Sequence, residues 1–282
     1  MMVGNTSLLK QEKWRIIDQS TTGLHVSALT SFGMDDTLCS SVGSGMAPAT
    51  ARTWVHDRTI VLGIQDTRLP HLKEALTLLK EQGYHYIVRN SGGLAVVLDK
   101  DVLNISLILP EQEKRIDINS GYDTMFELIK YMFREYGKTI EAKEIVGSYC
   151  PGSYDLSIDG KKFAGISQRR LRNGVAVQIY LCVNGSGQDR AGIIKQFYSS
   201  GLQGETTKFE YPEIDPEVMA SLAELLGVSL TVDQVMTKLL LALKDHAEFL
   251  FADQLQGEEL SLFESYYDRV VERNEKIMQP FR

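Results

Sequence analysis

The chain has 282 residues and a mass of 31.6 kDa, and we expect a single domain over residues 1–282. Its apolar fraction of 43% and charged fraction of 24% exclude a disordered or fibrous chain. The formal net charge of −7 argues against nucleic acid as a partner, because phosphate binding needs a basic surface. The apolar runs are too short to span a membrane and no signal peptide is visible, so we expect a cytoplasmic protein with no membrane partner.

Periodicity predicts a chain that is rich in strands at first and helical later. The predicted strands are residues 14–18, 51–56, 59–64, 84–88, 94–98, 104–109, 153–158, 163–168 and 175–183. The predicted helices in this part are residues 28–42, 72–82 and 121–136. From residue 215 onward the pattern is helical, and Thr231 with Gln234 forms a possible capping box. We therefore expect an α+β fold, with a mixed or antiparallel sheet flanked by helices and a helical C-terminus.

The three cysteines are an odd number without CxxC spacing, which argues against a disulfide framework and a zinc site. Cys39 lies in a predicted helix and Cys182 near the end of an apolar strand, where packing explains both. Cys150 lies in a loop of small and turn-forming residues ahead of a strand, which is an unusual place for a structural thiol. It is therefore the candidate nucleophile. The five histidines show neither a metal spacing nor a motif that ties one of them to Cys150.

A thiol attacks as the thiolate, so we expect a cation near the nucleophile. The stretch 161–172 is basic and contains no acid, although the chain as a whole is acidic. Neighbouring residues of a strand face opposite ways, so one of Lys161 and Lys162 points inward. The alternative, that both are solvated hairpin residues, stays open.

A two-residue turn at the Asp-Gly pair 159–160 is a strong hairpin signal. With this turn, the cross-strand partner of Lys162 is Ser157 and not Cys150. Cys150 would meet Lys162 only if the bend at residues 151–152 folds the loop back over the sheet, which the sequence leaves open.

The segment Arg-Asn-Ser-Gly-Gly-Leu-Ala-Val at residues 89–96 has two interpretations. It is either a glycine turn between strands or a close approach of the backbone to a ligand, with N–H donors and a cation at its edge. It matches neither a Walker A loop nor the dinucleotide-binding glycine motif.

Taken together, residues 89–96, the sequence Ser-Tyr-Cys-Pro-Gly-Ser-Tyr-Asp at 148–155 and Lys-Phe-Ala-Gly-Ile-Ser at 162–167 resemble the lipoate-protein ligase and octanoyltransferase family. Their order and spacing match as well. The resemblance covers roughly residues 14–245 and implies a biotin/lipoate ligase-like catalytic domain, followed by a helical extension over residues 246–282.

Within the family, the likeness is strongest to octanoyltransferases that take octanoyl from the glycine cleavage H protein. It implies that Cys150 carries the acyl group as a thioester, while Lys162 promotes ionisation of the thiol and orients the acyl carbonyl. It also implies octanoylated H protein as donor, lipoyl domains of 2-oxoacid dehydrogenase complexes as acceptor, and no metal or cofactor. The pocket residues implied by the resemblance are Arg89, Ser91, Gly92, Gly93 and Gly165.

The chain departs from the ligases of this family in its glycine segment. The ligase motif has two arginines, three glycines and a later histidine, where this chain has Arg-Asn, Ser-Gly-Gly-Leu and Leu-Asp between residues 89 and 99. ATP-dependent activation is therefore disfavoured. Three alternatives stay open: an octanoyltransferase that uses acyl carrier protein, an ATP-dependent lipoate-protein ligase, and a non-catalytic acyl-binding module.

Overall fold

The structure, a computed structural model, describes residues 7–111 and 115–281. Its strands are β1 (Gln11–Gln19), β2 (Thr50–Trp54), β3 (Thr59–Leu62), β4 (His85–Val88), β5 (Val96–Leu98), β6 (Val102–Pro110), β7 (Glu141–Ala142), β8 (Asp155–Ile158), β9 (Lys161–Leu171), β10 (Gly174–Cys182) and β11 (Ala247–Ala252). Its α-helices are α1 (Leu29–Gly43), α2 (Leu72–Glu81), α3 (Ile118–Met132), α4 (Gly187–Leu202), α5 (Leu222–Leu226), α6 (Val232–Asp245) and α7 (Glu258–Met278).

The strands form a large sheet and a small one. The large sheet has the order β11-β1-β2-β6-β10-β9-β8-β7, in which β1 is parallel to both of its neighbours and the other pairs are antiparallel. The small sheet has the order β4-β3-β5, which leaves β4 at its edge. None of the helices in the described part of the chain is long and apolar enough to cross a bilayer.

The two faces of the large sheet differ in character, because alternate residues of a strand point to opposite sides. On β6, Leu103, Ile105 and Leu107 enter the main apolar core, which α3 and α6 complete. Ser106 lies between them in sequence and faces the other side, where its hydroxyl donates to Asp35 of α1 at 2.8 Å. The polar face is therefore the one that meets α1.

The predicted fold class is confirmed, and so are its local turn and cap signals. Ile158 pairs with Lys161 and Ser157 with Lys162, as the Asp-Gly turn predicts. Both turn residues, 159 and 160, have positive φ, of 51° and 75°, as this tight turn requires. The capping box of Thr231 with Gln234 is present at the start of α6.

Three elements differ from the sequence-based prediction, among them the two-residue strand β7, which was not predicted. Helix α4 was not predicted, although Ser186 caps it by accepting a hydrogen bond from the Asp189 N–H at 2.9 Å. The expected helical extension over residues 246–282 is wrong at its beginning, where residues 247–252 form β11. This segment is a strand because it pairs with the edge of β1, while Phe249 and Phe251 stack with ring centroids 5.9 Å apart. The rest of the extension is α7, and its last residue, 282, lies outside the described residues.

Candidate active site

Cys150 lies in the loop between β7 and β8 and is half-buried. Its φ of 45° is in the left-handed region, which costs a residue other than glycine about 1 kcal/mol or more. The other two thiols are fully buried, and burial raises the pKa of Cys182 to about 12 and that of Cys39 further. Cys150 is therefore the one of the three that combines access with a strained backbone.

Two donors from the glycine segment converge on the sulfur of Cys150. The Leu94 backbone N–H donates to Sγ at 3.2 Å, and Nη2 of Arg89 donates to it at 3.3 Å. The same Nη2 also donates to the Leu94 carbonyl, which ties the two donors together. These two contacts hold the sulfur in place, and a cation and an amide N–H at this distance stabilise negative charge that develops on it. The cation expected beside the nucleophile is thus Arg89, which the sequence placed only in the acyl pocket.

The side chain of Lys162 contacts the main chain of the loop that carries Cys150. Its Nζ forms an ion pair with Asp155 Oδ1 at 2.8 Å and donates to the carbonyl oxygens of Tyr149 and Cys150 at 2.9 and 3.0 Å. The side chains of Lys162 and Asp155 are only 3% and 2% exposed. Burial raises the pKa of Asp155, and the positive charge of Lys162 partly opposes that shift. The loop of Cys150 therefore folds back over the sheet, and the Lys162 amino group binds the main-chain oxygens of this loop.

The surroundings of the glycine segment require glycine at residue 93 but not at residue 92. Gly93 has φ 104°, and a Cβ there would lie 2.1 Å from Arg89 Nη2 and 3.1 Å from Cys150 Sγ. A Cβ on Gly63, at the end of β3, would lie only 1.8 Å from the Gly93 carbonyl oxygen. Gly92, in contrast, has open space around its Cα. Gly93 and Gly63 therefore allow the backbone approach that puts the Leu94 N–H on the sulfur.

A cavity of about 310 Å³ opens beside Cys150, between the polar face of the large sheet and the small sheet. All seven predicted site residues line it, namely Cys150, Lys162, Arg89, Ser91, Gly92, Gly93 and Gly165. The apolar part of its wall includes Phe32, Trp54, Val61, Val96 and Leu98. This size and this mixture suit a small apolar group whose reactive end lies at the thiol.

The chain matches the lipoyl protein ligase A/B catalytic domain family over residues 27–244. It belongs to this family. This lipoyl protein ligase A/B family member is 59% identical over 272 residues to an octanoyl-[GcvH]:protein N-octanoyltransferase of Bacillus velezensis, covering 96% of this chain and 95% of the relative. It is 50% identical over 278 residues to a lipoyl-[GcvH]:protein N-lipoyltransferase of Listeria monocytogenes, covering 99% and 100%.

Solved structures share this fold. Protein Ta0514 of T. acidophilum, solved with bound lipoic acid, superposes with a TM-score of 0.67 at 19% identity and covers 92% of this chain and 95% of its own. A lipoate-protein ligase A bound with ATP gives 0.66 at 21% identity, with the same coverage. These likenesses confirm the predicted lipoate ligase-like fold.

Asp155 is the site residue that the sequence-based reasoning missed in this family member. It is the last residue of the motif around Cys150, and it opens the strand opposite the one that carries Lys162. Asp155 lies two residues before Ser157, the cross-strand partner of Lys162, and an acid at this spacing is the signal that could have identified it. In the described ranges 7–111 and 115–281, no group of three or more His, Cys, Asp or Glu could hold a metal ion.

Two arginines of the basic stretch 161–172 are paired within the protein. Arg169 Nε lies 2.7 Å from Asp36 Oδ1, and Arg170 Nη1 lies 2.8 Å from Glu111 Oε1. The charges of Arg169 and Arg170 are therefore largely neutralised by acidic residues of the same chain.

Proposed function

We propose that this chain is an octanoyl-[GcvH]:protein N-octanoyltransferase that carries octanoyl as a thioester on Cys150. The observation that carries this proposal is the convergence of Arg89 and the Leu94 N–H on a half-buried sulfur at the edge of an acyl-sized cavity. Three relatives at 56–59% identity with this name support the choice of octanoyl and of the H protein, GcvH.

The first step is attack of the Cys150 thiolate on the carbonyl carbon of the octanoyl-lysine amide of GcvH. The C–S bond forms, the C–N bond breaks, and the departing lysine amine takes the proton that the thiol has released. Arg89 and the Leu94 N–H hold the attacking sulfur in place before bond formation. Orientation of this kind lowers the entropic part of the barrier.

The second step reverses the first with a different lysine. The acceptor amine attacks the thioester carbonyl, the new C–N bond forms, and the C–S bond breaks as the proton of the amine returns to sulfur. The same two donors stabilise the negative charge that develops on the leaving sulfur. The exchange starts from one amide and ends in another, so its energy balance needs no ATP.

Lys162 holds the nucleophile loop in this scheme. Its ammonium group ties the carbonyls of Tyr149 and Cys150 to Asp155, which stabilises the left-handed backbone at Cys150. Because Lys162 also lines the cavity, we assign to its amino group the orientation of the acyl carbonyl as well, by exchange of one of its present hydrogen bonds for the carbonyl oxygen.

We propose the lipoyl domains of 2-oxoacid dehydrogenase complexes as the acceptors, and the cytoplasm as the place of reaction. We also propose that the chain acts as one acyltransferase domain. Lipoyl domains and GcvH present the same chemical group, a lysine side chain exposed on a small carrier domain, so one site serves both steps.

Intact-protein mass spectrometry after mixing with octanoylated GcvH tests the proposal. We expect one octanoyl mass increment that hydroxylamine removes and that Cys150→Ala abolishes. Cys39 and Cys182 remain in that variant, so loss of the adduct assigns it to Cys150. An unmodified wild type, or label gained only from octanoylated acyl carrier protein, contradicts the proposal.

Lipoyl is a second candidate for the acyl group, because the Listeria relative is named a lipoyltransferase. Offering octanoyl-GcvH and lipoyl-GcvH together, in equal amounts, decides between them. The thioester mass that accumulates first identifies the preferred acyl group.

A further inference from the structure

Helix α7 follows the residues that match the family, which end at residue 244, and it packs closely on the body of the protein. Val270 is buried in an apolar cluster, with Tyr267 and Val271 packed against it. The approach to α1 is tight, since a Cβ on Gly33 would lie 3.0 Å from the Tyr267 Cα. The first turn of α7 is fixed as well, because Glu259 forms a buried two-pronged ion pair with Arg15 of β1, with both distances 2.8 Å.

The last turns of α7 lie against the outer edge of β4. The Asn274 side chain accepts a hydrogen bond from the Val88 N–H at 2.8 Å, at the edge where β4 has no neighbouring strand. The adjacent Arg273 donates from Nη1 to the carbonyl oxygen of Arg89, also at 2.8 Å. Two consecutive side chains of α7 therefore hold the two peptide groups that lead into the glycine segment.

Arg89 links these contacts of α7 to the sulfur of Cys150. The backbone that Arg273 and Asn274 hold belongs to Val88 and Arg89, and the guanidinium of Arg89 donates to the sulfur of Cys150. Asn274 also shares one helical stripe with Tyr267, Val270 and Val271, spaced by three and four residues. A polar side chain in such a stripe is costly unless it is hydrogen-bonded, and its bond goes to this strand.

We propose that Arg273 and Asn274 are positioning residues, which hold the Arg89 guanidinium against the Cys150 sulfur from outside the family core. Through them, the C-terminal helix sets the reactivity of a thiol that it does not touch. The inference deepens the proposed function and rests on it only for the effect on acyl transfer. The effect on the thiol itself is independent of which acyl group is carried.

The test is the rate at which iodoacetamide alkylates Cys150 in the full-length protein at pH 7, followed by peptide mass spectrometry. We expect Asn274→Ala to lower this rate about five-fold, since one partly buried hydrogen bond is lost. Asn274→Asp keeps the acceptor oxygen and should alkylate close to the wild-type rate. Glu272→Ala, an exposed position on the same helix, is the matched control and should have no effect.

A double-variant cycle separates positioning from a general loss of stability. Arg89→Met should slow alkylation about ten-fold, and adding Asn274→Ala to it should slow it no further, because both act through one contact. Additive losses, or wild-type rates in Asn274→Ala and Arg273→Met, overturn the inference.

Unfolding is recognised separately, because it exposes Cys39 and Cys182 and labels all three thiols. If Asn274→Ala unfolds, Arg273→Met provides the same comparison from the neighbouring contact. Octanoyl transfer from GcvH is measured in the same samples. Failure of the wild type to transfer octanoyl counts against the proposed function, while the alkylation rates still decide the role of α7.

Discussion

Replacing Lys162 with methionine tests the buried pair at the centre of the nucleophile loop. The ammonium group lies 2.8 Å from Asp155, and both side chains are almost completely buried. Removing one member of a buried ion pair leaves an uncompensated charge, which costs about 3–5 kcal/mol. The same change leaves the Tyr149 and Cys150 carbonyls without this donor. We therefore expect the midpoint of thermal unfolding to fall by roughly 10 °C.

The pH dependence of this loss follows from the charge that is left behind. In Lys162→Met the pKa of Asp155, already raised by burial, loses the contribution that opposed the rise. A carboxyl group whose pKa is higher in the folded state contributes stability at low pH and loses it as the pH increases through that value. The variant should therefore be more destabilised, relative to wild type, at pH 8 than at pH 5.

Urea unfolding of Lys162→Met and of Lys162→Met/Asp155→Asn is the assay. The second change removes the unpaired charge, so the double variant should regain about 1–3 kcal/mol and lose the extra pH dependence. It should still fail to form the octanoyl thioester, because the amino group in the cavity is absent. The reasoning is refuted if the single variant loses less than about 1 kcal/mol, or if the double variant is no more stable than the single one.

Three further predictions concern Gly93, His56 and Gly165. Gly93→Ala should slow alkylation of Cys150 at neutral pH at least as much as Arg89→Met does, because its Cβ would collide with the Arg89 guanidinium and its backbone has φ 104°. Gly92→Ala should alkylate like wild type, because a Cβ at Gly92 meets nothing within 4 Å. Burial lowers the pKa of His56 to about 4. As the pH falls, His56 therefore binds a proton in the unfolded state before it does so in the folded state, and the folded state loses stability. Between pH 6.5 and pH 4 the wild type should lose up to about 3 kcal/mol more of its free energy of unfolding than His56→Gln does, as measured by urea titrations. Gly165→Val should block octanoyl thioester formation in the mass assay, whereas Gly165→Ala should permit it, since a Cβ there makes only ordinary contacts, 3.7 Å or more from its neighbours.

Local signals predicted the parts of the fold that short segments decide for themselves. The Asp-Gly turn at 159–160 and the capping box at Thr231 depend on two to four adjacent residues, and both are present. Helix α4 escaped prediction because Gly187, Gly192 and Gly201 interrupt its pattern. The strand at 247–252 escaped it because only the edge of β1, more than 230 residues away in sequence, makes that segment a strand.

In the site, too, some features follow from local sequence and others from the tertiary structure. The sequence by itself identified the three segments that line the cavity, because the motif around Cys150, the hairpin of Lys162 and the glycine segment are each contiguous. Only the tertiary structure decided which group meets the sulfur. Arg89 lies 61 residues from Cys150 in sequence, and Asn274 lies 186 residues from Val88, so both contacts depend on how the strands and α7 pack. Such contacts follow from the burial of whole faces, which no local pattern specifies.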